Sequence, residues 1–311
     1  MSQKHDRRTA RSGDSTWLLA QLARILAGAK RLWAVLLYSS AYLSVVTVVE
    51  VGIAMAVLSL PLSPAPVVVG LITFAVYAND RIADVDDDAV DKPEQAAFVR
   101  RNRDVLYVAA AAAYGLAVAV AMLGGPAALA LALLPGAFWV LYASDWLPRL
   151  GSRLRRLKDV LVVNTAVVAF AWAVSLTFLP LAFADRGVTP AAGLVFAYFF
   201  LRSFVDTELP NVADREGDRE AGVRTLPVVL GLERTRLALY AVDAVTAAVL
   251  AYAVAAGHLS VLVALALGVG LVYSVAVTSL LARSADRDWL TVAPELEYLV
   301  VAAALSLAAL A

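Results

Sequence analysis

The chain has 311 residues, of which 61% are hydrophobic and 17% are charged, and its formal net charge at pH 7 is zero. Soluble globular domains are roughly half apolar and about a quarter charged, so this composition excludes an ordinary soluble domain and indicates a membrane protein. With no cysteine and only two histidines, the chain cannot form disulfides, thiolate metal sites or a cysteine nucleophile, and it offers little for a zinc site or a Ser-His triad.

The N-terminal part of the chain, residues 1–31, is predicted to be a polar tail followed by a surface helix. Met1–Asp14 is polar and lacks the pattern of a cleavable signal. Trp17–Lys30 alternates apolar and basic residues, which is typical of an amphipathic helix that lies on a membrane surface. We therefore separate this region from a transmembrane domain over residues 32–311.

The transmembrane domain is predicted to be a bundle of about nine helices that cross the membrane. A helix needs roughly 17 to 25 apolar residues to cross a hydrocarbon layer of about 30 Å. The first span is long enough to be tilted, kinked or extended beyond the bilayer. The predicted spans are Leu32–Leu60, Pro66–Asn79, Asp104–Leu123, Pro126–Ser144, Asp159–Phe183, Pro190–Val205, Arg234–Ala256, Leu259–Ala282 and Ala293–Ala311.

Lys and Arg residues are concentrated in the N-terminal tail and in the loops after spans two, four, six and eight. Short cytoplasmic loops retain positive charge, so we predict a cell-membrane protein with its N-terminus in the cytoplasm and its C-terminus outside. The sizeable loops then share the cytoplasmic face, where we expect the functional site. The loops after spans two and six are also acidic, which suggests two related halves followed by an added ninth span.

The first acidic loop continues directly from span two. Asp80, Asp84 and Asp88 are spaced four residues apart, so their carboxylates would share one narrow stripe if the helix continued. Such carboxylates repel one another unless cations lie among them, and a site with only oxygen ligands suits Mg²⁺ bridged to substrate phosphates. The apolar part of span two is about 12 residues, or about 18 Å, which is too short to cross the membrane alone. Asp80 is therefore expected in a recessed cavity lined by protein.

The second acidic loop repeats this spacing. Asp214 and Asp218 are four residues apart, and Asn211 lies one turn earlier. Cations held between two acidic sites on one face could grip a diphosphate from both sides. A single acidic loop is more often a solvated connector, but two clusters with matching spacing, each at the inner end of a span, favour a functional site.

At these residues the chain resembles the UbiA superfamily of intramembrane prenyltransferases, over nearly its whole length after the tail. Members typically carry Asn-Asp-x-x-Asp-x-x-x-Asp, or its variant Asp-x-x-x-Asp-x-x-x-Asp, and then Asn-Arg-Pro after the second of nine helices. This chain has Asn79, Asp80, Asp84 and Asp88, followed by Asp91-Lys92-Pro93.

Two further family features have counterparts here. The second family motif reads Asp-x-x-Asp-x-x-Gly-Asp, followed by Gly and Thr-Leu-Pro, and a third feature is a Tyr leaving span four with a Lys opening span five. The similar residues of this chain are Asn211, Asp214, Gly217, Asp218, Gly222 and Thr225-Leu226-Pro227 for the motif, and Tyr142 and Lys158 for the third feature. Lys92 and Asn211 stand where the family usually has Arg and Asp, which leaves the substrate open.

The resemblance implies an all-α membrane bundle with a cytoplasmic-side cavity. It also implies Mg²⁺-dependent transfer of a prenyl group from an isoprenyl diphosphate to a lipophilic acceptor within the bilayer, such as an aromatic one, and no nucleic-acid partner. The implied metal ligands are Asp80, Asp84, Asp88, Asp214 and Asp218, the implied diphosphate contacts are Lys92, Arg215, Arg224, Asn79 and Asn211, and the implied catalytic residues are Tyr142 and Lys158.

From the residues alone, Lys92, Lys158, Arg215 and Arg224 are the basic groups best placed to neutralise a departing diphosphate. Each of them could equally be a positive-inside residue at the lipid headgroups. An allylic cation would need aromatic faces and exclusion of water. The aromatic candidates near or within spans are Tyr77, Tyr142, Trp172, Tyr198, Phe199 and Phe204.

Several other charged residues lie in or near spans. Glu50 lies within an apolar run, where a carboxylate is costly and indicates function. Arg202 and Asp206 are four residues apart, which predicts a structural salt bridge. The remaining three, Asp243, Glu295 and Glu297, are expected to be solvated at inner ends.

Two other functions stay open. A membrane terpene cyclase of the same superfamily would use the same diphosphate site without an acceptor. A secondary transporter would instead place its ion and substrate sites near the bilayer midplane on broken helices. The acidic residues lie at inner ends of spans, which disfavours transport.

Overall fold

The structure is a computed structural model that describes residues 21, 23–86, 88–143, 163–281 and 288–310. Regular structure within these residues is entirely helical, which confirms the predicted class. The helices are α1 (Ala23–Tyr38), α2 (Ala41–Val57), α3 (Ala65–Ala83), α4 (Asp88–Asp91), α5 (Pro93–Ala121), α6 (Gly125–Ala143), α7 (Val163–Phe183), α8 (Pro190–Ala213), α9 (Arg215–Ala221), α10 (Leu226–Leu230), α11 (Leu232–Ala255), α12 (Val261–Leu280) and α13 (Leu296–Ala308), with short 3₁₀ turns at Met122–Gly124 and Asp288–Thr291.

The long helices follow from apolar sequences in which the backbone must satisfy its own hydrogen bonds, because lipid offers no partners. Two of them have capped starts. The Thr189 side chain accepts a hydrogen bond from the backbone N–H of Ala192 before α8, and the Ser260 side chain accepts one before α12, both at 3.2 Å. Pro190 follows Thr189 as the first residue of α8, where its missing N–H costs nothing.

The first predicted span is bent rather than straight. Helices α1 and α2 meet at 75°, and Ser40 between them has a left-handed φ of 59°. The Ser39 hydroxyl donates to the Val35 carbonyl at 2.6 Å, at the end of α1. Most side chains of α1 are exposed, whereas much of α2 is buried. The bend is a kink within the first predicted span, one of the outcomes that the length of this span allows.

Helices α5 and α6 form an antiparallel hairpin. The chain reverses at Gly125, whose φ of 81° favours glycine. Tyr114 on α5 donates its hydroxyl to the Leu133 carbonyl on α6 at 3.3 Å. The pair therefore contains predicted spans three and four.

Several helical segments are long enough to cross a membrane. Within the described residues, five helical segments are long and apolar enough to cross, or six if the bent pair α1–α2 counts as one span. One of the five, Pro93–Val140, contains α5 and most of α6. Helix α8 is not among them and carries Arg202, Asp206 and Glu208, and α13 has only 13 residues. The chain is thus a multi-pass helical membrane protein, and the number nine stays a prediction.

The helices close into a ring. Helix α2 packs on α3, α3 on α5 and α6, and the order continues through α7, α8, α11, α12 and α13, which packs back on α2. Exposed apolar side chains such as Val105, Leu265 and Val272 cover the outside, as a lipid-facing surface requires. The short helices α4 and α9, which follow α3 and α8, pack against each other. The two acidic loops therefore meet at one end of the ring.

Candidate functional site

A cavity of about 290 Å³ lies inside the ring, lined from α2, α3, α6, α7, α8 and α13. We call Asp80, Lys92, Asn211 and Asp214 its rim, and Glu50, Asp206, Glu295 and Tyr298 its floor. Along α8, Asp206 precedes Asp214 by eight residues, which separates floor from rim by about 12 Å at 1.5 Å per residue. Aromatic side chains line the cavity between them.

An ion pair at the rim joins the two acidic loops. Lys92, just before α5, places its ammonium 2.7 Å from the carboxylate of Asp214, just after α8. These residues are 122 positions apart in the chain. The structure thus brings Lys92 of the first acidic loop to Asp214 and Asn211 of the second motif.

Asp80 lies in the last turn of α3 and lines the cavity. Helix α3 ends at Ala83 rather than at Asn79, so this carboxylate is held by a regular helix. The indole N–H of Trp139 on α6 donates to Asp80 at 3.4 Å. The predicted recessed position of Asp80 therefore agrees with its place in the structure.

The first acidic motif does not form one continuous helical stripe. Helix α3 ends before Asp84, and a short break precedes α4, so the condition for a single stripe over Asp80, Asp84 and Asp88 fails. The backbone N–H of Asp88 still donates to the Asp84 carbonyl at 2.8 Å. The Asp88 carboxylate accepts hydrogen bonds from Arg81 at 3.1 Å and from Gln95 at 3.0 Å. Asp88 is therefore directed towards a basic group of α3 and an amide group of α5, the helices on either side of its loop.

The second acidic motif divides between two helices. Asp214 lies between α8 and α9, and Asp218 lies in α9, where it accepts a hydrogen bond from Thr225 at 3.0 Å. Gly222 ends α9 with a φ of 75°, a conformation that favours the glycine of this motif. The turn brings the Thr-Leu-Pro segment back against Asp218.

The predicted diphosphate contacts differ in position. Lys92 and Asn211 line the cavity, and Asn211 also donates to Glu208 at 3.3 Å. Asn79 instead donates to the Ala75 carbonyl of its own helix at 2.8 Å. The other two, Arg215 and Arg224, do not line the cavity, and Arg224 is exposed.

The two predicted catalytic residues stay untested by this geometry. Lys158 lies outside the described residues. Tyr142 lies in the last turn of α6, and its side chain also lies outside the described part of the chain.

Two of the aromatic candidates line the cavity. Tyr77 on α3 and Trp172 on α7 stack with ring centroids 5.7 Å apart and an interplanar angle of 6°. Tyr77 lies one turn before Asp80, so the stacked pair is directly beneath the rim. Tyr198 and Phe199 are buried in the hydrophobic core and are not among the lining residues.

A buried charge network supports the floor. The Arg202 guanidinium is fully buried, donates twice to Glu297 at 2.7 and 2.5 Å, and donates to Asp243 at 2.5 Å. Asp206, the predicted partner, lies 3.7 Å from the guanidinium. The expectation that Asp243 and Glu297 are solvated is wrong, because α11 and α13 carry them against α8, where both are buried.

The family model described as the UbiA prenyltransferase family matches residues 32–296. The chain belongs to this family. A search of curated proteins finds no match. The UbiA assignment agrees with the positions of both acidic loops at one end of a helical ring.

Solved UbiA-type structures share the fold. A UbiA homologue from Archaeoglobus fulgidus, bound to GPP and Mg²⁺, is 14% identical, covers 89% of this chain and 100% of its own, and has a TM-score of 0.62. The apo UbiA homologue from Aeropyrum pernix K1 is 17% identical and has a TM-score of 0.65. The match covers 84% of this chain and 97% of that homologue. A digeranylgeranylglyceryl phosphate synthase is 13% identical and has a TM-score of 0.56. The match covers 90% of this chain and 99% of that synthase.

The rim of this UbiA protein fits Mg²⁺ in its chemistry, since it offers carboxylate and amide oxygens, the ligands that Mg²⁺ prefers. Among the described residues, no three acidic or imidazole groups are gathered closely enough to hold a metal ion. Lys92 neutralises Asp214, and Arg81 neutralises Asp88. An ionised carboxylate has about four acceptor sites, so Asp214 and Asp88 can keep these paired cations and still contact a metal ion.

Some site residues of this UbiA protein carry no signal in the sequence. Trp139 is one aromatic residue in an apolar helix, and nothing in its spacing marks it as a partner of Asp80. Asp206 is detectable only as the partner of Arg202 at helical spacing, which hides its second role at the floor. Glu50 is the exception, because a carboxylate within an apolar run is conspicuous.

Proposed function

We propose that this protein transfers a prenyl group from an isoprenyl diphosphate to a lipophilic acceptor within the membrane, with Mg²⁺ as its cofactor. The observation that carries the proposal is the meeting of both acidic loops at one cavity rim, where Lys92 lies 2.7 Å from Asp214. The homologue from Archaeoglobus fulgidus that binds GPP and Mg²⁺ supports the same class of donor.

Residues of both loops share the diphosphate in this proposal. The carboxylates that would hold the metal are Asp80, Asp84, Asp88, Asp214 and Asp218. When bound, Mg²⁺ would neutralise the diphosphate and stabilise it as a leaving group. Lys92, Arg215, Arg224 and Lys158 would supply fixed positive charge, and the amides of Asn79 and Asn211 would orient the diphosphate. Arg215 has the capacity for this, since its Nε has no hydrogen-bond partner among the described residues.

The chain's own aromatic residues would stabilise the positive charge on the reacting carbon. Breaking the bond between C1 of the prenyl group and oxygen releases diphosphate and leaves an allylic cation. The stacked Tyr77 and Trp172 present aromatic faces beneath the rim, where they stabilise positive charge and exclude water. An acceptor atom then bonds to C1 and loses its proton. We assign Tyr142 to the same step on the family resemblance.

The membrane arrangement completes the proposal. We place the rim at the cytoplasmic face, with the N-terminus in the cytoplasm, because basic residues concentrate in the loops at that end of the spans. The donor would enter with its diphosphate at the rim and its prenyl chain among the helices. The acceptor would enter from the bilayer.

The test uses purified protein in proteoliposomes with radiolabelled geranylgeranyl diphosphate, Mg²⁺ and a lipid extract that supplies acceptors. Labelled lipid larger than the donor chain is the expected result. A labelled hydrocarbon with the donor's own carbon number would identify a cyclase. Uptake of intact donor into sealed vesicles, without diphosphate release, would identify a transporter and overturn the proposal.

A matched pair of variants distinguishes the rim from general damage. Asp214→Asn removes a rim carboxylate and should abolish transfer. Asp104→Asn removes an exposed carboxylate from α5 and should leave transfer unchanged. Equal loss in both variants would contradict a role for the rim.

A further inference from the structure

Glu208 is a fully buried carboxylate close to the rim, and the proposed transfer gives it no role. It lies in the last two turns of α8 and is not among the residues that line the cavity. Its side chain accepts a hydrogen bond from the Thr165 hydroxyl on α7 at 2.5 Å. The backbone N–H of Leu226, the first residue of α10, also donates to it. Glu208 is therefore a fixed acceptor that joins α8 to α7 and α10.

A third donor to Glu208 is Asn211, which follows one turn later on α8. Its side-chain amide donates at 3.3 Å to one carboxylate oxygen, and the Thr165 hydroxyl donates to the other. An ionised carboxylate has no proton to donate, so the atom of Asn211 that faces Glu208 is the amide nitrogen. The nitrogen and oxygen lie on opposite branches of a planar amide. The amide oxygen is therefore directed away from Glu208.

Asn211 itself lines the cavity, in the rim where Lys92 contacts Asp214. Because its nitrogen is turned towards the buried Glu208, the group that it presents to the cavity is the amide oxygen. An amide oxygen accepts hydrogen bonds and binds hard cations, and it cannot donate to a diphosphate oxygen. Asn211 would therefore orient the diphosphate through a bound cation.

We propose that Glu208 is a positioning residue, which holds the Asn211 amide by its nitrogen so that the amide oxygen faces the rim as a ligand for the metal ion. The inference rests on the proposed function, since it concerns the rim that would hold Mg²⁺. It also gives a physical reason for the Asn at position 211, where the family usually has Asp. Two carboxylates within 3.3 Å of each other would repel in this buried setting. An amide satisfies Glu208 and still offers an oxygen.

The test is a double-mutant cycle that is read by metal binding rather than by turnover. Mn²⁺, which suits the same oxygen ligands as Mg²⁺, is titrated into protein in lipid nanodiscs, and free Mn²⁺ is measured by electron paramagnetic resonance. Loss of a residue that orients a metal ligand weakens metal binding about 10–100-fold, so Glu208→Gln should weaken Mn²⁺ binding at least about tenfold. In an Asn211→Leu background, which lacks the amide, Glu208→Gln should weaken it about threefold or less.

An exchanged pair is the second variant, and it keeps the net charge. Asn211→Asp alone brings two carboxylates together and should lower the Tm of the metal-free protein by at least about 2 °C. Adding Glu208→Gln returns an amide donor to the pair. The double variant should therefore regain the wild-type Tm and bind Mn²⁺ within about threefold of the wild-type affinity.

The control is Glu233→Gln, which removes a carboxylate that is 73% exposed and should leave Mn²⁺ binding unchanged. Three results would overturn the inference: equal weakening by Glu208→Gln with and without the Asn211 amide, an Asn211→Asp protein with the wild-type Tm, or a wild-type protein that binds no Mn²⁺. Diphosphate release from a prenyl donor, assayed separately, tests the proposed function. Release without coupling between the two residues would refute the role of Glu208 alone, whereas coupling without release would refute prenyl transfer alone.

Discussion

Arg202 is the residue that ties α8 to two later helices. Its guanidinium joins α11 through Asp243 and α13 through Glu297, in a setting with no exposure to solvent. Removing one member of a buried charge network leaves its partners uncompensated, which costs about 3–5 kcal/mol. We therefore expect Arg202→Met to lower the free energy of unfolding in detergent by about that amount, measured by denaturant titration.

The exposed pair Arg219–Glu216 is the control for Arg202. Both side chains are largely exposed and lie 3.2 Å apart, and exposed pairs contribute about 0–1 kcal/mol. Arg219→Met should change the free energy of unfolding by about 0.5 kcal/mol or less. Similar values for the two variants would show that the Arg202 network does not stabilise the ring.

Lys92 is a basic rim residue in direct contact with the carboxylate of Asp214. If it neutralises the departing diphosphate, Lys92→Met should slow diphosphate release about 100-fold, the order of loss seen when one preorganised charge partner is removed. Lys92→Arg keeps the charge and should retain most of the rate. The measurement is single-turnover release of diphosphate at saturating Mg²⁺.

The control for Lys92 is Arg100→Met, which breaks an exposed pair with Asp86 and should leave the rate unchanged. A Lys92→Met protein that releases diphosphate at the wild-type rate would remove Lys92 from the diphosphate site.

At the scale of elements, the contact between α2 and α3 depends on Gly70. A Cβ at this position would lie 2.9 Å from the Val48 side chain and 3.2 Å from the Ser44 carbonyl oxygen. The backbone oxygen cannot move without shifting α2, so Gly70→Ala should lower the free energy of unfolding by about 1–3 kcal/mol. Thermal unfolding of the purified protein measures the change.

Gly52 on α2 gives the matched control, because a Cβ there would meet nothing within 4 Å. Gly52→Ala should be neutral or stabilising by about 0.5–1 kcal/mol, since alanine favours the helix. Destabilisation of both variants to the same extent would refute the close approach at Gly70.

Elements differ in how far their sequence predicts them. Periodicity and apolar length predict that α3, α7, α11 and α12 exist, whereas predicted span six ends at Val205 and α8 continues to Ala213. The break after Ala83 is not predictable, because a run of aspartates can continue a helix or leave it. The bend at Ser39 and Ser40 is also hidden, since it depends on how α2 packs against its neighbours.

At the scale of the whole molecule, ring closure converts separate sequence signals into one site. Positive-inside charge predicts that both acidic loops share a face, yet it does not predict the 2.7 Å contact of Lys92 with Asp214, which depends on α4 and α9 meeting. The burial of Asp243 and Glu297 likewise depends on how the helices close into a ring. A sequence places them near helix ends, and only the packing of α11 and α13 against α8 removes them from water.

The most direct test of prenyl-diphosphate chemistry at the rim is single-turnover diphosphate release from geranylgeranyl diphosphate, with and without Mg²⁺. Wild type is compared with Asp80→Asn, Asp214→Asn and the exposed control Asp104→Asn. We expect release that requires Mg²⁺, falls at least about 100-fold in both rim variants and persists in the control. Release that survives in both rim variants, or no release from a folded wild-type protein with any prenyl chain length, would contradict it.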